Sequence, residues 1–240
     1  MNTVIPVISI TDLLIGFIPA VVVILIMYLW QANANTAIIA TLRMLAQLLA
    51  IGYVLVYIFE SDNYVFILTI LAIMLGVASW IAIRPLKSRD GRIYLKALIA
   101  ISIAGLPILA LVTQAVVNAQ PWFSPRYIIP LAGMIFAGAM NAVSLAAERY
   151  QVEIERGNAY IDSRRSAFQA SLIPTINTLF AVGLVSLPGM MTGQILSGVS
   201  PLIAVKYQIV VMTMLFGANG IAAAVYLILQ KSHTMIQQQQ

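Results

Sequence analysis

Few side chains in this 240-residue chain could do chemistry, and most of them stand inside apolar runs. Arg43 and Gln47 are four apart, so a helix would put both on one face. A charge at the centre of a membrane helix costs at least about 2.5–3.5 kcal/mol on insertion scales, so intramembrane arginines tend to be pathway groups or to snorkel. Both readings fit Arg43, which lies about two turns from a helix end, with Gln47 offering an amide to the interior. Asn141 and Ser144 lie in another apolar run and could line a path. Pro188, Met190, Met191 and Gln194 belong to a third stretch that is rich in glycine and proline.

Several reaction classes drop out. The chain has no cysteine and one histidine, His233 near its end, so Ser–His and Cys–His nucleophilic pairs are not expected. No G-x-x-x-x-G-K-[ST] loop is present to cradle nucleotide phosphates. Met134, Met190 and Met191 carry thioethers, which suit soft ions such as Cu(I) and bind hard ferric ions poorly. Methionine in such a setting is more often adaptable packing, so no resident metal site is expected. If work is done here, its energy comes from a partner.

The elements that must position these residues are membrane helices. Sixty-one per cent of residues are hydrophobic and only 9% are charged, against about a quarter in a soluble domain. Runs near the roughly 20 residues needed to cross a bilayer occur at Thr11–Trp30, Ala37–Phe59, Tyr64–Ile83, Leu95–Val117, Tyr127–Ala147, Phe168–Leu187 and Leu202–Leu229. The expectation is an all-α polytopic membrane protein of one domain and about seven spans. The opening MNTVIPVISITD lacks a basic n-region, so the first run is read as a retained span.

The net charge of +5 does not form a nucleic-acid stripe. Arg84, Lys87, Arg89, Arg92 and Lys96 fall between the third and fourth spans. Arg149, Arg156, Arg164 and Arg165 fall between the fifth and sixth, and Lys231 follows the seventh. Only Arg126 and Lys206 lie on the other side. The positive-inside rule then puts the N-terminus outside and the C-terminus in the cytoplasm. Trp30, Trp80, Trp122, Tyr64, Tyr94 and Tyr127 mark span ends.

Within the fifth span Gly133, Ala137 and Asn141 form one row of small residues, with Gly138, Ala142 and Ala146 on the adjoining one. Both rows are expected to let neighbouring helices approach closely. The longest polar stretch, Glu148–Gln169, mixes acids and bases and is expected to be a solvated helical surface from Glu148 and Tyr150 through Glu155 and Arg165. The terminal Gln237–Gln240 tail reads as disordered.

The stretch from Leu172 to Leu215 holds the most distinctive words: LIPTIN, GLVSLPGMMTGQIL and AVKYQIVV. Together with IPLAGMIFAGAMNAVSLA from Ile129 to Ala146, and with Arg43, Gln47 and Leu48, they resemble the FetB family (the UPF0014 group), iron-export permease subunits of ABC transporters. The resemblance implies a homodimer in the cell inner (plasma) membrane, joined to two copies of a separate ATPase that binds ATP and Mg. It also implies that Glu148, Arg149, Glu153, Glu155, Arg156, Arg164 and Arg165 form the segment that docks that ATPase. Here the sequence departs from the family, with VEIERGNAYIDSRR where an acidic residue and L-A-L-G-A-[ST]-P are usual. An ATP-independent channel or carrier and a membrane scaffold are the competing classes. Scarce intramembrane acids weigh against proton coupling.

Overall fold

In the computed structural model, residues 8–237 are described, with side chains as far as Lys231. Most of the opening segment, the His233 side chain and Gln238–Gln240 lie outside the described residues. The chain divides into two compact units, Met1–Glu60 and Ser61–Gln240.

Among the described residues, the first unit holds three helices. α1 (Ile10–Gly16) starts on a capping box, in which Ser9 and Asp12 satisfy each other's backbone amides. It breaks at Phe17 and resumes as α2 (Ile18–Leu29), with Pro19 in its first turn, where a missing amide costs nothing. α3 (Ala34–Phe59) follows, capped by Asn33.

The second unit contains α4 (Tyr64–Ala82), α5 (Gly91–Ala110), α6 (Pro125–Glu155), α7 (Tyr160–Ala181), α8 (Gly189–Leu196) and α9 (Pro201–Gln237). α5 runs into a π-helical segment, Leu111–Val116, just after Pro107 interrupts its hydrogen-bond ladder. The 31 residues of α6 extend about 46 Å. α6, α7 and α9 meet in an alanine-lined core of Ala142, Ala146, Ala167 and Ala223, closed by Tyr150 and Leu227. Such small side chains let the three backbones approach, as membrane helices commonly require.

Among the described residues, six helical stretches are long and apolar enough to cross a membrane: Ile10–Leu29, Ala34–Phe59, Tyr64–Ala82, Gly91–Val116, Pro125–Glu155 and Pro201–Lys231. α7 is not among them. Asp162, Arg164 and Arg165 occupy its first turns, and the helix stops at Ala181, before the expected Leu187. Its uncharged part, Ser166–Ala181, covers only about 24 Å, short of the roughly 30 Å hydrocarbon core. Even so, α7 runs antiparallel to α9, since the Tyr160 hydroxyl donates to the Leu227 carbonyl and the Asn219 amide donates to Thr175 Oγ1.

Of the two small-residue rows in α6, the one through Gly138 packs along its length. Gly138 faces α9 so closely that a Cβ would lie 2.5 Å from Asn219 Oδ1, and Ala142 and Ala146 are buried. The row through Gly133 does not pack along its length, because Ala137 and Asn141 are exposed.

The basic linkers share one end of the second unit. Lys87, from the α4–α5 connection, pairs with Glu155 at 2.9 Å, and Lys96 Nζ donates to Gln230 of α9 at 2.9 Å. Both members of the Lys87–Glu155 pair are substantially exposed, so it adds little stability; its value is in reporting proximity. At the opposite end Trp122 and Phe123 meet edge to face and Tyr64 lies tilted against both, with Tyr64 and Trp122 amphipathic rings of the type found at headgroup level.

Candidate functional site

At the charged end, α6 turns into α7 through four residues, Arg156 to Ala159. Gly157 has φ +84°, and the amides of Gly157 and Asn158 return to the carbonyls of Ile154 and Glu153. That double bond is a Schellman closure, which needs a left-handed residue just past the helix. Gly157→Val is therefore expected to destabilise the turn by about 1–2 kcal/mol, while Gly157→Asn costs less. Thermal unfolding of the purified protein in detergent checks the order.

Glu153 sits inside this hairpin, its side chain only 7% exposed. Arg149 Nη2 pairs with its Oε1 at 2.6 Å, Arg156 approaches the same oxygen at 3.8 Å, and Asn158 donates to Oε2. Tyr150 and Tyr160 meet edge to face behind it, and the Arg164 guanidinium lies over the Tyr160 ring. The expectation of a wholly solvated surface is thus overturned at Tyr150 and Glu153, and at Ser163 and Ala167 on α7. Tyr150 and Glu153 are buried because α7 folds back onto α6 there, while Glu148, Glu155, Arg156, Arg164 and Arg165 are exposed and Arg149 is half-buried.

A cavity of about 600 Å³ lies at the other end, where the π-helical segment, α6, α8 and α9 meet. The sequence builds its walls by loosening helices. The π turn brings Val112 and Val117 to one wall, a widening often found at functional sites. Pro130 of α6 has no amide to give the Arg126 carbonyl one turn back. α8 is too short to cross anything, and it ends in a second Schellman closure at Gly198, φ +90°. That closure turns the chain into α9, so Met190 and Gln194 face the cavity with Ile203 and Tyr207.

The polar groups lining the cavity are Arg126, Tyr127, Gln194 and Tyr207, and Met134 and Met190 add two thioethers. Gln194 Oε1 is buried and accepts no hydrogen bond among the described residues. No group of three or more His, Cys, Asp or Glu side chains that could hold a metal ion occurs among the described residues either.

The candidate pathway residues divide. Met190 and Gln194 line the cavity; Met191 is half-buried on α8, and Pro188, its N-cap, is half-buried too, and neither lines it. Asn141 is exposed and Ser144 half-buried further along α6, outside the cavity. Arg43 and Gln47 are exposed on α3 of the first unit. Sequence reading passed over Arg126, Tyr127 and Tyr207 as site groups. The available signal was that Arg126 is one of only two basic residues on the sparsely charged side.

Membrane-length apolar helices, small-residue contacts and charges gathered at one end of the second unit define a multi-pass, all-helical membrane protein. The chain belongs to the uncharacterised protein family UPF0014, which it matches over residues 10–235. It is 39% identical to the UPF0014 membrane protein slr1647 of Synechocystis over 197 residues, 75% of each chain. It is 33% identical to the Probable iron export permease protein FetB of Escherichia coli, covering 76% of this chain and 75% of that one. The protein ALUMINUM SENSITIVE 3 of Arabidopsis thaliana is 31% identical, covering 85% and 81%. No solved structure matches the chain.

Proposed function

We propose that the chain is the membrane-spanning permease subunit of an ABC-type transporter in the inner (plasma) membrane. In this reading it exports a metal ion such as iron as a homodimer, driven by two copies of a separate ATPase that binds ATP and Mg. With α7 counted as a seventh, short crossing antiparallel to α9, the N-terminus lies outside and the C-terminus in the cytoplasm. The charged Glu148–Gln169 hairpin is the surface the ATPase grips. The name of the relative, a probable iron export permease, supports the cargo. What carries the mechanism is α6: one unbroken helix holds both Glu153 of the hairpin and Met134 of the cavity, about 28 Å apart along its axis.

Reconstitution with a candidate ABC ATPase, such as any Walker-A protein found encoded beside it, tests the reading. The expected result is a complex whose ATP hydrolysis is stimulated several-fold by ferrous ion and coupled to its movement. Transport without ATP would favour a channel or carrier instead. Failure to form a complex, together with no transport, would leave a scaffold.

A further inference from the structure

We infer that the cavity between the π-helical segment, α6, α8 and α9 binds an amphipathic organic acid that carries a hydroxyl or N–H donor, and not a bare metal cation. The inference deepens the permease reading by naming the class of cargo, and it rests on that reading only for transport. A metal moved by this route would travel as a complex of such an acid.

The lining decides the sign of the charge. Arg126 is the one formally charged side chain among the cavity residues, and no carboxylate, imidazole or thiolate stands with it. A divalent ion entering there would exchange its water shell for an apolar wall and a like charge. Hard cations demand several oxygen ligands, preferably anionic ones, and the only side-chain oxygens on the cavity lining are the neutral ones of Tyr127, Gln194 and Tyr207. An anion meets the reverse situation, with a guanidinium and the hydroxyls of Tyr127 and Tyr207 as donors.

Size and wall fix the rest of the ligand. Pockets of about 300–1,000 Å³ with mostly apolar walls and a few polar groups suit small organic molecules. Here Val112, Leu131, Ile203 and Val211 are suited to an apolar body. Gln194 then asks for a donor. Its Oε1 is buried without a partner, and an unmet buried acceptor is costly, so a ligand hydroxyl or N–H would be favoured over a plain hydrocarbon.

The test is calorimetric titration of the full chain in phosphatidylcholine nanodiscs, with empty nanodiscs as the blank. The probes are 3-hydroxyoctanoate, octanoate, octanol and ferrous ion alone. Expected is saturable binding of 3-hydroxyoctanoate, about tenfold weaker for octanoate and weaker still for octanol. Arg126→Gln should weaken both acids about tenfold or more and leave octanol unchanged. Gln194→Leu should erase the preference for the hydroxy acid while keeping octanoate binding. Displacement of the acid by phosphatidylglycerol would support the same headgroup chemistry with a lipid as its source.

The proposal is overturned if neither acid saturates, if octanol binds as well as the acids, or if ferrous ion alone binds and Arg126→Gln tightens it. Because this readout needs no ATPase, its failure is separable from failure of the transporter reading.

Discussion

Glu153→Lys is expected to open the α6–α7 hairpin. The native carboxylate is buried beside Arg149 and Arg156, with Asn158 donating to its second oxygen. Lysine there would place a third positive charge at a site that is only 7% exposed. Removing one partner of a buried pair typically costs about 3–5 kcal/mol, and the reversed charge keeps the loss at the upper end. Glu153→Gln is the informative control. It can still accept from Asn158, and Arg149 and Arg156 are exposed enough to recover water, so a loss of about 1–2 kcal/mol is expected. Thermal unfolding in detergent, with limited proteolysis after Arg156, reads both variants. Equal stability of the two would show that the buried charge is not what holds the turn.

Gly138→Leu is expected to separate α6 from α9. Even a bare Cβ at this position would sit 2.5 Å from Asn219 Oδ1 and 3.3 Å from Leu215 Cδ2. Asn219 cannot swing away freely, because its amide is bound to Thr175 Oγ1 of α7. A leucine must therefore displace one helix or break that bond, for about 3 kcal/mol or more. Gly133→Ala on the neighbouring row is the contrast. Its Cβ would meet only Met74 Cε at 3.6 Å, an ordinary contact with a flexible chain end. Better helix propensity then makes that change neutral or stabilising by up to about 1 kcal/mol. The fraction of monodisperse, folded protein after extraction measures both; a Gly138→Leu chain as stable as the parent would remove the proposed tight crossing.

Helix existence was legible because an apolar run longer than the bilayer is thick has almost no other fate. Their ends were less so. α6 runs eight residues past the expected Ala147, since the polar Glu148–Glu155 stretch has helix-forming side chains and a second helix to pack on. α7 stops early because the chain turns at Gly183, φ +82°, between Val182 and Ser186. Small-residue periodicity marked α6 as a packing helix, yet the choice between adjoining rows depends on where α9 lies, which no local pattern records. The same is true of Tyr150 and Glu153, polar-stretch residues buried only by a neighbour. Met190 and Gln194 were found through the glycine- and proline-rich stretch around α8. Arg126, in an apparently plain connection, becomes notable only once the cavity closes beside it.

The continuity of α6 has a mechanical consequence. Its tight contact with α9 at Gly138 is a natural fulcrum, with Glu153 about 22 Å along one arm and Arg126 about 18 Å along the other. For a rod tilting about that point, with Pro130 the one loosened turn on the Arg126 arm, a 3 Å sideways push at the Glu153 end becomes a swing of at most about 2.5 Å in the opposite direction at Arg126. A displacement of that size is comparable to the width of a water molecule, enough to open or shut the mouth without unwinding a single turn.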